Sequence, residues 1–432
     1  MKACNVSRIV SAGLCCSCGL CESVCPIGGI SFEMRSGSWV PSVNQCCNCG
    51  RCLGVCPGGS VHWDQGDTAY DQLKGPALNT YSAWSTNEAV FCGSTSGGVA
   101  TQLIRCLLAA GAYDVAFLVG EAAPGRILYA EPFGSEDDLS VTQKSKYLQV
   151  SHARTLRWMV DHPLKRVIIV AVPCAVRGIE SAISLLGLKR ENYLLIGLFC
   201  DKTMQYEVLN YLVSLSGGRP VEAVDFRNKE ISGWPGDVGI RLTDGTYLSL
   251  PKERRMEVKE YFCPERCLYC LDKLNVCADI SLGDDYTDSP GNREGANSVI
   301  IRTEAGARAW AIAKDELVFV ISSLEDVALS QRVDNRFTNY AYARMKETEL
   351  GISEINEGFD YDINKGLLIH WEKAKKYRSA LRYAAIGADY AENPGRLNAA
   401  LKKKKSLLGR IGAYLGARLY RLLSGEGRVM SE

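Results

Sequence analysis

Eight cysteines fall in two runs of one spacing. Cys15-x2-Cys18-x2-Cys21-x3-Cys25 is followed by Pro26, and Cys46-x2-Cys49-x2-Cys52-x3-Cys56 by Pro57. Gaps of two residues turn three thiolates toward one point, while the longer gap and the proline carry the fourth sulfur away. Soft thiolates suit iron–sulfur clusters. The runs are also an internal repeat. At an offset of 31, nine of the fourteen positions from Cys15 to Gly28 are identical, among them Gly19/Gly50, Val24/Val55 and Gly28/Gly59.

The spacing is that of two-cluster bacterial ferredoxins, in which the fourth cysteine of each run ligates the other cluster. It assigns Cys15, Cys18, Cys21 and Cys56 to cluster one, and Cys46, Cys49, Cys52 and Cys25 to cluster two. Zinc sites more often show separate C-x2-C pairs without a trailing proline, and a disulfide scaffold belongs to short secreted chains. Two 4Fe-4S clusters are therefore expected. Cys16 and Cys47 repeat too, but they stand outside the ligand spacing and read as packing residues.

A second set of thiols lies further on. The run Arg166 to Val172 reads as a buried parallel strand and ends at Cys174; Tyr193 to Phe199 reads as the next strand and ends at Cys200. Ligands in open α/β sheets sit outside the carboxyl ends of strands, although a single buried cysteine is more often inert core. Cys267-x2-Cys270 adds a pair with ligand spacing, with Cys263 and Cys277 less regular beside it. Cys174, Cys200, Cys267 and Cys270 are four thiols, the count for a third 4Fe-4S cluster.

These residues need elements to hold them. Residues 1–65 read as a ferredoxin-like domain, with a short strand from Trp39 to Val43. Residues 66–88 are polar, contain Pro76 and read as a linker with some structure. From Ala89 to Leu324 the pattern is α/β: a Gly-rich turn at Ser94 to Gly98, a helix with Val99, Leu103 and Leu107 on one face, and a strand from Asp114 to Val119. A helix from about Val176, an antiparallel hairpin around Thr243-Asp244-Gly245, and strands at Ala278–Gly283, Asn297–Arg302 and Leu317–Ile321 follow. The turn at a helix N-terminus could hold an anion or be only an N-cap, with Ser96 or Thr95 capping. Residues 325–432 read as helical, ending in a basic amphipathic helix, Lys402 to Leu423. Such a helix suits an anionic membrane surface or a partner, or packs on its own domain.

With 432 residues, 47% of them hydrophobic, the chain can bury more than one core. Nineteen cysteines, eight of them in cluster spacing, point to a reducing, cytoplasmic setting. No signal peptide is read at the N-terminus, and no run is long and apolar enough to span a membrane. The net charge is +1, but the basic tail supplies it. The remainder is acidic, which argues against nucleic acid as a partner.

Several blocks together resemble the family of coenzyme F420 hydrogenase/dehydrogenase beta subunits. They are Thr95-Ser96-Gly97-Gly98, Ser145-Lys146-Tyr147, Val172-Pro173-Cys174, Gly197-Leu198-Phe199-Cys200, Cys267-x2-Cys270-x-Asp272, Ala278-Asp279-Ile280-Ser281-x-Gly283 and Ser298 to Thr303. The resemblance implies bound FAD, a 4Fe-4S cluster beside it, and hydride exchange with coenzyme F420 in some members. Carried onto this chain, Ser96, Gly97 and Gly98 would hold the FAD phosphates with Thr101 nearby. Ser145, Lys146 and Tyr147 would line the flavin or substrate pocket, Lys146 as the catalytic residue, and Cys174, Cys200, Cys267 and Cys270 would hold the cluster. Gly233-Trp234-Pro235-Gly236 and Leu282 to Tyr286 look closer to bacterial members found with polysaccharide-modifying proteins. The expected function is an iron–sulfur flavoenzyme that exchanges electrons with a redox partner protein. The alternatives are an electron-transfer subunit without its own substrate and a redox partner in polysaccharide biosynthesis.

Overall fold

The computed structural model describes residues 4–405 apart from 60, 64–65, 290–293, 353–354, 360 and 362–366. Strands β1 (Ile30–Arg35) and β2 (Ser38–Val43) form an antiparallel hairpin, with Ile30 opposite Val43. Two one-turn helices flank it, α1 (Leu20–Ser23) and α2 (Arg51–Gly54). Each is entered through a left-handed glycine, Gly19 at φ 77° and Gly50 at φ 74°. Only a residue without a Cβ takes that conformation freely, so the repeated glycines put the same bend between the second and third thiol of each run.

The larger part is built on β3 (Asn79–Ser85), β4 (Val115–Val119), β5 (Leu128–Phe133), β6 (Val150–Ser151), β7 (Val167–Ala171) and β8 (Tyr193–Leu198). After β9 (Val221–Asn228), β10 (Asp237–Leu242) and β11 (Tyr247–Leu250) come β12 (Ile280–Asp284), β13 (Asn297–Ile301) and β14 (Leu317–Ile321). Nine of them make one mixed sheet in the order β14-β3-β13-β12-β8-β7-β4-β5-β6, while β9, β10 and β11 form a separate antiparallel sheet. The class is α/β, as expected. Strands β4, β7, β8 and β12 run parallel. Val167, Ile168, Ile169, Leu194 and Leu195 are fully buried, because helices cover both faces of the parallel strands and apolar residues suit every position.

The segment 66–88 is not a free linker. It contains a helix, Ala69–Lys74, and then β3, which pairs antiparallel with both β13 and β14. The N-terminal part is also not a separate bead. Cys18, Leu20, Val24 and Val55 share one hydrophobic core with Phe117, Ile169, Val176 and Ile179. One close approach is at Gly178 on helix α4 (Pro173–Leu186), where a Cβ would lie 2.5 Å from Leu20 Cδ1 and 3.1 Å from the Val55 carbonyl. Beyond Leu324 the described residues are mostly helical, with α5 (Arg336–Leu350) packed behind the cysteines. Most of the basic tail helix, from Ser406, lies outside the described residues. Among the described residues no helix is long and apolar enough to cross a membrane.

Candidate functional site

The parallel strands β7 and β8 run in register, with Ala171 opposite Gly197. Their carboxyl ends deliver Cys174 and Cys200. Helix α4 begins at Pro173, three residues earlier than the sequence suggests, because a proline at its first position forfeits no hydrogen bond. Cys174 therefore sits in the first helical turn. Asn275, at φ 59°, donates from Nδ2 to the Ala171 carbonyl at 2.9 Å and the Leu198 carbonyl at 3.3 Å. One side chain thus ties the two strand ends together.

Cys267 and Cys270 arrive from the other side, on and just after the 3-10 turn Glu265–Tyr269. Arg336 of α5 donates to the Cys200 carbonyl at 2.6 Å, and Asn339 donates to the Cys270 carbonyl at 2.8 Å. The four expected thiols are half-buried and are brought together. Burial and neighbouring sulfurs push the Cys200 thiol well up. Cys267 is held below the usual thiol range by the Cys263 thiol, which donates to it, and Thr203 Oγ1 lies 3.7 Å from its sulfur.

Arg266, 5% exposed, stands among these thiols. Its Nη2 donates to the Pro57 carbonyl at 3.1 Å, but Nε and Nη1 are buried without a hydrogen-bond partner. A buried guanidinium with open donors is costly unless it faces negative charge, so the pocket fits an anionic group held by thiolates. Among the described residues no three His, Cys, Asp or Glu side chains gather around a single metal ion. A cubane instead takes its ligands at separate corners.

In the N-terminal runs, backbone N–H groups point at sulfurs, Ser17 to Cys15 at 3.4 Å, Gly29 to Cys25 at 3.3 Å and Asn48 to Cys46 at 3.4 Å. Cys18 and Cys21 are buried and Cys15 and Cys56 half-buried, whereas Cys46 and Cys49 are exposed, Cys52 buried and Cys25 half-buried. The set assigned to cluster one faces the interior, and the set assigned to cluster two borders solvent.

The Gly-rich turn is buried, not open. Helix α3 (Val99–Ala109) is capped by Gly98 at φ 75°, not by Ser96 or Thr95. Ser96 Oγ donates to the Ala296 carbonyl at 2.6 Å. Thr95 Oγ1 accepts from Ser145 N at 2.8 Å and lies 3.2 Å from Ser145 Oγ, so it joins the turn to the Ser145-Lys146-Tyr147 block. Lys229 donates to the Ser96 carbonyl at 2.7 Å and rests over the Phe91 ring.

Ser145 and Lys146 line a cavity of about 390 Å³ with Cys92, Glu121, Lys144 and Asp225. Lys146 donates to the carbonyls of Thr142 and Gln143, and burial pulls its amine down to about 7. Thr101 lines a neighbouring cavity of about 410 Å³ with Arg105. Tyr147 turns away from the Lys146 cavity: its ring meets Phe226 edge-on and its hydroxyl lies 3.4 Å from Arg227. Arg227, 4% exposed, also binds the Pro235 carbonyl and Asp284, yet its Nη2 is without a partner, as is the buried Nε1 of Trp234. Arg227, Lys229, Arg266 and Asn275 do not stand out in the sequence. The Trp234-Pro235 block carries a signal, and the others have none.

A mixed sheet that gathers thiols at the ends of its parallel strands is the scaffold this chain presents. Residues 80–157 match the N-terminal part, and residues 164–327 the C-terminal part, of the family described as coenzyme F420 hydrogenase/dehydrogenase, beta subunit. Together these matches cover more than half of the chain, and it belongs to that family. It is 25% identical over 321 residues to a subunit of the F420H2 dehydrogenase of Methanosarcina mazei, covering 72% of this chain and 86% of the relative. It is 27% identical over 320 residues to the coenzyme F420-dependent sulfite reductase of Methanocaldococcus jannaschii, covering 70% of this chain but 46% of the relative. Identity to the beta subunit of coenzyme F420 hydrogenase of Methanosarcina barkeri is 22% over 309 residues, 69% of this chain and 97% of the relative. A chain of the F420-reducing [NiFe] hydrogenase complex from Methanosarcina barkeri aligns with a TM-score of 0.49 at 20% identity, over 65% of this chain and 95% of that one.

Proposed function

We propose that the protein is an iron–sulfur flavoprotein oxidoreductase that passes electrons between reduced coenzyme F420, or a similar hydride donor or acceptor, and a one-electron partner protein. The observation that carries this reading is Arg266, whose open N–H groups stand among the thiols of the third group while its third nitrogen reaches Pro57 of the ferredoxin-like part. FAD, when bound, supplies the change from hydride to single-electron chemistry. In this reading residues 1–65 carry two clusters, 89–324 carry FAD and a third cluster, and 325–432 are a helical support.

Cys15, Cys18, Cys21 and Cys56, then Cys46, Cys49, Cys52 and Cys25, and finally Cys174, Cys200, Cys267 and Cys270 would hold the three clusters. The partnerless Arg227 Nη2 and Trp234 Nε1, the latter beside Gly295 next to Ser96, fit an anionic, hydrogen-bonding cofactor such as FAD. Lys146, anchored by two carbonyls at the rim of a polar cavity, would hold or release a proton near neutral pH. The outer set, with Cys46 and Cys49 exposed, is where electrons would leave or enter.

A second reading, a subunit without its own substrate inside a larger assembly, is favoured by one feature. The edge strand β14 exposes Val318, Phe319, Val320 and Ile321, and an open apolar edge is a pairing surface. Anaerobic purification with iron and flavin counted, then mixing with reduced F420, NADPH or reduced ferredoxin, separates the readings. About twelve irons, four per cubane, and one FAD per chain are expected. A chain that holds no flavin would leave the second reading, and a flavin bleached by NADPH but not by reduced F420 would remove the deazaflavin.

A further inference from the structure

The outer thiols sit on a face whose unpaired charges are of one sign. Cys46, Cys47 and Cys49 are exposed, and Asn5 donates from Nδ2 to the Cys46 sulfur at 3.4 Å. The Ser7 N–H donates to Asn5 Oδ1 at 3.0 Å, where the short helix Ser7–Ser11 begins. Arg8 is exposed on that helix, and Arg51 is exposed at the first position of α2, between Cys49 and Cys52. Between residues 4 and 59 the acids are Glu22 and Glu33. Glu22 is paired with Arg157 at 2.6 Å and Glu33 with Arg35. This part of the chain therefore supplies no free carboxylate to Arg8 or Arg51.

Exposed apolar side chains flank the same thiols. Ile27, two residues after Cys25, is 47% exposed, and Leu185 is 43% exposed. Gly29 presses the Ile27 segment against the second run, since a Cβ there would fall 2.3 Å from the Gln45 carbonyl. Gly54 ends α2 beside Leu185, where a Cβ would lie 3.9 Å from Leu185 Cδ1. Interfaces between proteins favour arginine over acids beside apolar side chains. The chain outside its basic tail is acidic, so a negatively charged protein is repelled over most of that surface and drawn to this face.

We propose that the face around Cys46, Cys47 and Cys49, with Arg8 and Arg51 beside the thiols and Ile27 and Leu185 at its sides, docks the acidic face of a one-electron carrier protein. The proposal rests on the reading that the outer set holds a cluster through which electrons leave or enter. The two arginines steer and orient the carrier, and the apolar side chains hold it once it has met the surface. One electron then moves between the carrier's redox centre and the outer cluster. One centre is reduced and the other oxidised, and no bond or proton is exchanged.

The test uses the full chain, reconstituted anaerobically, with iron counted and cluster midpoints followed by EPR. Stopped flow measures its reduction by a prereduced acidic 2Fe-2S ferredoxin and by the small dye reduced methyl viologen, across a range of salt. Wild type is compared with R8Q, R51Q, R8E/R51E and the control R308Q. Arg308 is exposed on the helix Glu304–Ala313, whose Ala309 and Trp310 pack in a different core from Leu20 and Val55. The wild-type rate with ferredoxin is expected to fall as salt rises. R8E/R51E should lower it about tenfold or more at low salt, the scale of lost steering, with R8Q and R51Q between and R308Q unchanged. The gap closes at high salt, while iron content, midpoints and the dye rate hold. A ferredoxin rate that R8E/R51E leaves unchanged, or that rises with salt in the wild type, overturns the proposal. So do shifted midpoints with a slowed dye, which would make the arginines tuners of the cluster. A wild-type outer cluster that the dye cannot reduce would overturn the electron-transfer reading itself, whereas a working dye with a salt-blind ferredoxin overturns only the docking face.

Discussion

Gly197 lies so close beneath Asn275 that a Cβ at residue 197 would fall 2.4 Å from the Asn275 Cγ. Asn275 is the side chain that ties the ends of β7 and β8, so the missing methyl of Gly197 is what lets the tie sit between Cys174 and Cys200. Gly197→Ala should cost about 1–3 kcal/mol, the usual range for overpacking a filled interior. Thermal unfolding should show the loss, and iron of the third group should be released before that of the N-terminal runs.

Cys200→Ala separates the clusters. It removes one expected ligand of the third group and touches none of the N-terminal thiols. Iron content should fall from about twelve to about eight per chain, with the N-terminal signals kept in EPR. Loss of all iron would contradict the assignment.

Lys146 gives a signed pH dependence. Its amine is lowered to about 7 by burial, below the ordinary lysine value of about 10.4. Between those values the unfolded chain binds a proton that the native protein does not, so stability rises with pH through that window and falls again as pH drops toward 7. Lys146→Met should flatten this slope in denaturant melts run from about pH 7 to about pH 10. It should also slow turnover with the hydride donor by about 100-fold or more, the scale of a lost proton-transfer group.

Thr95→Val cuts the join between the Gly-rich turn and Ser145. The backbone N–H of Ser145 loses its acceptor at 2.8 Å, a cost of about 1–3 kcal/mol if it stays without one. Flavin content after gel filtration should drop while iron content holds. A variant that retains flavin fully would show that the two segments do not form one site.

What is legible in the sequence follows from the physics of each segment. The strands β7 and β8 announce themselves because both faces are buried and every position is apolar. Strand β3 hides because most of its buried positions are polar. Thr80, Ser82 and Ser85 are buried polar residues on its two faces, with Ser82 bonded to Asp285 and Ser85 to Gln102, so Asn79–Ser85 lacks an apolar alternation. The cysteine quartets are plain because their spacing is local. Arg266 and Asn275 give no signal because their partners are set by folding: Pro57 lies 209 residues from Arg266, and Ala171 lies 104 residues from Asn275. Adjacency groups Tyr147 with Lys146, yet consecutive side chains diverge, and Tyr147 faces Arg227 instead.

The contact of Gly178 with Leu20 and Val55 has a kinetic consequence. Electron tunnelling falls steeply with distance, and a hinged carrier must wait for its two halves to meet. Here the helix that carries Cys174 in its first turn and the two turns between the N-terminal thiols are pressed together in one core. The gap an electron would cross is set once, when the chain folds, and a passing partner needs to approach only the outermost cysteines.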